Sequence, residues 1–113
     1  MKATRQVRVV LVTCGSAGEA RRIARSAVEK RLAACGNIPL GPVESVYRWK
    51  GRVEKAREVL LILKTSAKRL AELEREVKLL HSYDVPEFIA LRISEGSQNY
   101  LSWVQDSVGW KKL

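Results

Sequence analysis

With 113 residues, of which 46% are hydrophobic, the chain is long enough for one domain with one core and too short for two. Arg8 interrupts the apolar run near the start, so the sequence predicts neither a membrane span nor a secretory signal, and we expect a cytoplasmic protein. The 21 Lys and Arg residues outnumber the 12 Asp and Glu residues and give a net charge of +9, but no nucleic-acid recognition motif accompanies them. Any binding to nucleic acid is therefore expected to be nonspecific and salt-dependent.

A strand and a helix are predicted first. Val7–Cys14 is rich in β-branched residues, which is typical of a strand buried on both faces. Ser16 and Glu19 then stand three residues apart, the spacing of a capping box, and apolar residues follow at helical spacing. These signals predict a helix over about Ala17–Ala34 that ends at Gly36.

A long β-hairpin is predicted next. Residues 39–42 contain two prolines and a glycine, which predict a bend, and the strand Val43–Trp49 follows. Lys50–Gly51 supplies the glycine of a tight turn, and Arg52–Thr65 is the predicted return strand. That return strand extends ~46 Å, whereas a domain of this length has a diameter near ~34 Å. We therefore expect the hairpin to overhang its own domain and to pair with another copy of the chain.

The second half of the chain predicts a helix, a strand and a further helix. Ser66 is the expected N-cap of the second helix, and the last main strand covers Phe88–Ile93. A short third helix is predicted to begin at Ser97 and to end at Gly109. The second helix has an apolar stripe of Leu70, Leu73, Val77 and Leu80 beneath a polar face of Glu72, Glu76 and Lys78.

The order of the elements predicts the fold class. Strand, helix, strand, strand, helix, strand is the split βαβ pattern of the ferredoxin-like α+β sandwich, here with an extra C-terminal helix. Two helices should cover one face of an antiparallel sheet, in a single domain over residues 1–113. The other face is also apolar, so we expect it to be covered by a partner.

The loop His81–Glu87 carries the candidate site, because it gathers the single histidine, a tyrosine and two carboxylates between a helix and a strand. A histidine at a helix end is alternatively a simple cap. A ligand cleft is predicted from Trp49, Lys64, His81, Tyr83 and Glu87, with Trp49 supplied by a neighbouring subunit. An ion pair of Lys64 with Glu58 or Glu87 is the alternative for that lysine.

Seven segments in order carry a resemblance to a known family: Val10–Cys14, Arg31–Cys35, Tyr47–Gly51, Glu58–Val59, Lys64–Thr65, His81–Glu87 and Tyr100–Trp103. With these segments the chain resembles the CutA family, named for divalent-cation tolerance. The resemblance implies a role in the response to metal ions and a homotrimer in which long hairpins wrap neighbouring subunits. It also implies an architecture similar to the PII signalling proteins, which bind small effectors in clefts between subunits.

The resemblance raises the question of a metal site. The site proposed for some relatives uses a cysteine in the first strand and two adjacent histidines, at positions that hold Val12, Leu80 and His81 here. Cys14 lies on the same strand face as Val12, so copper or another divalent metal at His81 and Cys14 requires that the strand end and the loop approach each other. The alternative is a core Cys14 and an inter-subunit cleft without metal. The protein would then be a PII-like sensor of a small ligand, such as an anion, or a structural interaction protein that binds a partner in the cleft.

The two cysteines and the remaining motifs complete the expectations. Both cysteines are expected to be reduced, and Cys35 is expected to lie in the core at the end of the first helix. The sequence has no P-loop, dinucleotide fingerprint, zinc spacing or Ser/His/Asp order, so we do not expect an enzyme.

Overall fold

The computed structural model describes residues 2–109, with side chains from Thr4 onward. Residues 1 and 110–113 of the predicted domain lie outside the described part. Its helices are α1 (Lys2–Gln6), α2 (Ala17–Glu29), α3 (Leu70–Leu80) and α4 (Gln98–Val108), and a 3-10 turn, Ala67–Arg69, precedes α3. Its strands are β1 (Val7–Cys14), β2 (Cys35–Asn37), β3 (Val43–Trp49), β4 (Arg52–Ser66) and β5 (Ile89–Arg92).

The strands form one antiparallel sheet in the order β2, β4, β1, β5, and β3 continues the β2 edge along β4. The central pair is in register from Val7 opposite Ser66 to Cys14 opposite Val59. The break between β2 and β3 spans residues 38–42, where the sequence predicts a bend. The predicted ferredoxin-like α+β class, with an antiparallel sheet and an added C-terminal helix, is confirmed.

The core lies between the sheet and helices α2 and α3. Because side chains alternate along a strand, Val10, Val12 and Cys14 point to this face of β1, and Leu61 and Leu63 join them from β4. The helices add apolar residues at three-and-four spacing, which are Ala20, Ile23, Ala27, Leu73 and Val77. The predicted apolar stripe of the second helix is thus confirmed as core.

The opposite sheet face is only partly covered within the chain. Helix α4 packs over one end, where Leu101, Val104 and Val108 contact Val7. Beyond this end, Ile89 and Leu91 on β5 remain exposed. No described residue covers this part of the face, which therefore keeps an apolar surface available to a partner.

The helix predicted over Ala17–Ala34 is α2, and it ends earlier than predicted, at Glu29 rather than Ala34. Arg31 adopts a left-handed backbone with φ 59°, and the amide of Leu32 returns to the carbonyl of Ala27 at 2.8 Å. The left-handed residue that follows the end of a helix is usually glycine or asparagine. An arginine at this position therefore does not indicate in the sequence that the helix ends. As a consequence Cys35 lies in β2 and is half-buried, so its predicted place in the core at a helix end is wrong.

The hairpin has the predicted turn and the predicted length. Lys50 and Gly51 both have positive φ, 50° and 80°, as a two-residue type I′ turn requires. The molecule measures 46 × 30 × 25 Å, so its long axis matches the extended hairpin rather than a sphere. Val46 and Val53 near the tip are 63% and 66% exposed. The overhang is therefore present, and the pairing of hairpins between copies stays a prediction.

Two further details differ from the sequence interpretation. Ser66 precedes the 3-10 turn rather than an α-helix, and its side chain makes no capping hydrogen bond. Glu76, assigned to the polar face, is instead buried and accepts hydrogen bonds from Ser26 and Lys30. Both cysteines are free, as expected. No helix within the described residues is long and apolar enough to span a membrane.

Candidate functional site

His81 lies at the point where the end of β1, the start of α2 and the end of α3 meet. Its side chain is buried, and each ring nitrogen makes a hydrogen bond. Nδ1 accepts a hydrogen bond from the amide of Tyr83 at 3.1 Å, so Nε2 carries the proton and donates to the carbonyl of Thr13 at 2.8 Å. This network assigns a neutral imidazole that ties the loop to β1.

Glu19 completes the attachment of the loop. Its carboxylate accepts from the amide of Gly15 at 3.1 Å and from the amide of Ser82 at 3.0 Å, and one oxygen lies 3.7 Å from His81 Nδ1. Burial opposes its ionisation most strongly, but the hydrogen bonds from Ser82 and Gly15 outweigh burial and lower the pKa of Glu19. Glu19 is therefore a buried carboxylate that joins α2 to the loop.

Cys14 lies beside these two side chains. One ligand atom from each of Cys14, Glu19 and His81 falls within 4.8 Å of the others, and all three residues are buried. Burial, followed by the carboxylates of Glu19 and Glu58, raises the pKa of the Cys14 thiol to about 12. The thiol is therefore protonated at neutral pH.

A groove of about 730 Å³ lies between the hairpin and the loop. Tyr83 forms part of its wall, and its ring packs on the His81 imidazole with centroids 4.6 Å apart. The Tyr83 hydroxyl donates to Glu58 at 2.8 Å, and burial together with this hydrogen bond raises the pKa of Tyr83. The aromatic and acidic side chains of the groove come from six residues, which are Tyr47, Trp49, Glu58, Tyr83, Asp84 and Glu87.

Comparison with known proteins decides the family. The sequence profile described as "CutA1 divalent ion tolerance protein" matches residues 8–107, which is nearly the whole chain. The chain belongs to the CutA family. The sequence-based resemblance is thus confirmed.

Individual CutA proteins show how far the likeness extends. The divalent-cation tolerance protein CutA of Thermus thermophilus is 48% identical over 101 residues, which cover 89% of this chain and 97% of that protein. A solved structure from that species has a TM-score of 0.88 at 46% identity, over 91% of this chain and 99% of the other. The chloroplastic CutA of Arabidopsis thaliana is 46% identical over 88% of this chain, but the chain spans only 54% of that protein.

The residues present do not fit a ready-made metal centre in this CutA chain. The strand end and the loop do approach each other, as a Cys14–His81 site requires. However, both nitrogens of His81 and both oxygens of Glu19 already bond to the backbone. An ion would have to break the hydrogen bonds that hold the loop. Val12 lies in the core and Leu80 packs against it. Their side chains are aliphatic and therefore have no ligand atom.

The structure brings together some of the predicted cleft residues. Trp49, Tyr83 and Glu87 line one groove within a single chain, whereas His81 lies buried behind Tyr83. Lys64 lies elsewhere, on β4 beside β2, where its ammonium donates to the side chain of Asn37 at 2.6 Å. The predicted ion pair of Lys64 with Glu58 or Glu87 is therefore wrong.

Two carboxylates of the site have roles that the sequence interpretation misses. The capping-box spacing predicts only part of the role of Glu19. The Ser16 hydroxyl accepts a hydrogen bond from the Glu19 amide at 3.1 Å, and the Glu19 carboxylate also accepts one from the loop amide of Ser82. The sequence interpretation gives Glu58 a place in the CutA resemblance and an ion pair with Lys64, but no place in the ligand cleft. The alternation along the hairpin places Glu58 on the same face as Tyr47 and Trp49, and that signal is available in the sequence.

Proposed function

We propose that this protein acts in tolerance of divalent cations as a homotrimer and has no catalytic role. The observation that carries the proposal is the CutA match over residues 8–107. A relative from Thermus thermophilus is named as a divalent-cation tolerance protein. We also propose a cytoplasmic location. Because one relative is named chloroplastic and another periplasmic, the location is to be tested by cell fractionation.

Two exposed apolar surfaces support assembly with other copies of the chain, and the number three is what the resemblance to the CutA family implies. The hairpin tip exposes Val46 and Val53, and the open sheet face exposes Ile89 and Leu91. Surfaces of this kind on paired strands are normally covered by another chain. Native mass spectrometry is expected to give three times the chain mass, and a stable monomer at micromolar concentration would contradict the assembly.

The tolerance function is proposed to operate without copper or another divalent ion at Cys14 and His81. The support is that the donor atoms of His81 and Glu19 are already satisfied by the backbone. Calorimetric titration of the parent and of His81→Ala with copper is expected to give equal affinities. Tight copper binding by the parent that is lost in His81→Ala would contradict this proposal and would support a metal site at His81.

The function itself is testable by growth. A bacterial strain that lacks its own CutA gene should regain growth on elevated copper when this chain is expressed. His81→Asn is the informative variant, because it keeps a side chain able to hydrogen-bond the loop while it removes the imidazole. Equal growth with the parent and with His81→Asn is expected. Failure of the parent to restore growth, at confirmed expression, would contradict the tolerance function.

A second candidate function is a small-molecule sensor, and the groove favours it. A concave site of about 730 Å³ with several polar groups is within the range of ligand pockets. The loop that forms one wall of the groove is attached to β1 and α2 through His81 and Glu19. A ligand in the groove would therefore contact a loop whose position depends on these hydrogen bonds. Hydrogen exchange of the loop amides with and without ligand would test this coupling.

A further inference from the structure

The charge of the groove is opposite to the charge of the chain. The chain carries a net charge of +9, but the described residues that line the groove include Glu58, Asp84 and Glu87 and no lysine or arginine. Carboxylates thus collect in a concave site of an otherwise basic protein. An anionic ligand, one of the two ligands expected from the sequence, is disfavoured there by repulsion.

Glu58 is the most informative of these groups. It is 8% exposed, and one of its oxygens accepts from the Tyr83 hydroxyl at 2.8 Å. Among residues 4–109 no lysine, arginine or histidine forms an ion pair with Glu58, whose second oxygen accepts no hydrogen bond from them. A buried carboxylate is usually paired with a cation, and within the described residues of one chain Glu58 has no such partner.

The groove walls are suited to an organic cation. Tyr47, Trp49 and Tyr83 present aromatic side chains, which attract ammonium and guanidinium groups through their negative faces. Val85 and Pro86 add apolar surface that an aliphatic chain could contact. Aromatic and carboxylate groups together recognise a positive charge on a carbon skeleton better than a bare ion.

The spacing of the carboxylates argues against a metal ion in the groove. Within the described residues, Glu58, Asp84 and Glu87 do not bring three ligand atoms within 4.8 Å of one another, whereas Cys14, Glu19 and His81 do. A divalent ion needs its oxygen ligands at bonding distance around one point. Separated carboxylates instead suit a ligand whose positive charges are separated.

We propose that the groove binds a small organic dication, with ammonium or guanidinium groups joined by an aliphatic chain. One charged group pairs with Glu58 and lies against the aromatic side chains. The other lies near Asp84 and Glu87 at the end of the loop. This inference rests on the second candidate function, ligand binding in the groove, and is independent of the tolerance function.

The test is calorimetric titration of the intact assembly with agmatine, which carries a guanidinium and an ammonium on a short aliphatic chain. Glutarate serves as an anion of similar length, and all titrations are done at matched ionic strength. The variant Glu58→Gln removes the charge and keeps the shape. Glu44→Gln is the matched control, because Glu44 is exposed on the opposite face of β3.

Saturable binding of agmatine by the parent is expected, with no binding of glutarate. Glu58→Gln should weaken binding about tenfold or more, the range of one charge-assisted contact, and Glu44→Gln should change it less than about twofold. If Glu58→Gln fails to assemble, Glu87→Gln takes its place, with a weaker affinity expected for agmatine.

Two results would overturn the inference. One is equal agmatine affinity of the parent and of a folded Glu58→Gln assembly. The other is an absence of saturable binding by the assembled parent. Neither result affects the growth assay or the measured mass, so the tolerance function would stand.

Discussion

Replacement of Glu19 by alanine is predicted to loosen the loop 81–87 and to destabilise the fold. The Glu19 side chain is nearly fully buried and accepts two backbone hydrogen bonds, from Gly15 and from Ser82. Alanine would leave both amides without their acceptor. It would also remove the negative charge next to the imidazole of His81.

The magnitude is set by these two bonds. A hydrogen bond to a charged group contributes about 1.5–3 kcal/mol, so loss of both is expected to cost about 3–6 kcal/mol. That is a large part of the stability of an average domain, which is about 5–15 kcal/mol. Because the carboxylate is buried, solvent does not screen the interaction appreciably.

The assay is denaturant unfolding followed by circular dichroism, at one fixed protomer concentration because assembly contributes to stability. The control is Glu29→Ala in the same helix, since Glu29 makes only an exposed pair with Arg25 at 3.6 Å, worth less than about 0.5 kcal/mol. Hydrogen exchange should also show faster exchange at Ser82 in Glu19→Ala. Equal unfolding midpoints for the two variants would refute the assigned role of Glu19.

Three other outcomes are expected. Gly36→Ala should destabilise by about 1–3 kcal/mol in thermal unfolding, because its Cβ would lie 3.0 Å from Ala24 and 3.2 Å from Leu63; an unchanged melting temperature would show that the neighbours give way freely. Cys14 should resist iodoacetamide at pH 8 until the protein unfolds, since its thiol is buried and its pKa is about 12; modification of Cys14 in the native state, detected by mass spectrometry, would contradict this. Because the folded pKa of Glu19 lies below its ordinary value of 4.5, its contribution is complete above 4.5 and is lost as pH falls through the lower folded value. Glu19→Gln should therefore lose less stability than the parent over that acid range, and parallel acid titrations of the two would refute the linkage.

The sequence by itself determined the fold class and the positions of most elements. The alternation in Val7–Cys14, the turn at Lys50–Gly51 and the apolar stripe around Leu73 are local patterns, and each follows from the period of a strand or a helix. The overhang of the hairpin also followed from strand length alone. The end of α2 did not follow from the sequence, because Arg31 adopts a left-handed backbone that its side chain does not favour.

Only the tertiary structure decided what the loop residues do. Whether His81 is free to bind a ligand depends on the backbone carbonyl of Thr13 and the backbone amide of Tyr83. Nearly every residue has these groups, so the sequence does not indicate which of them will bond to His81. The contact between Glu19 and Ser82 joins positions 63 residues apart. The same three-dimensional arrangement separates Lys64 from the loop and gives the groove its negative charge, although the chain as a whole is basic.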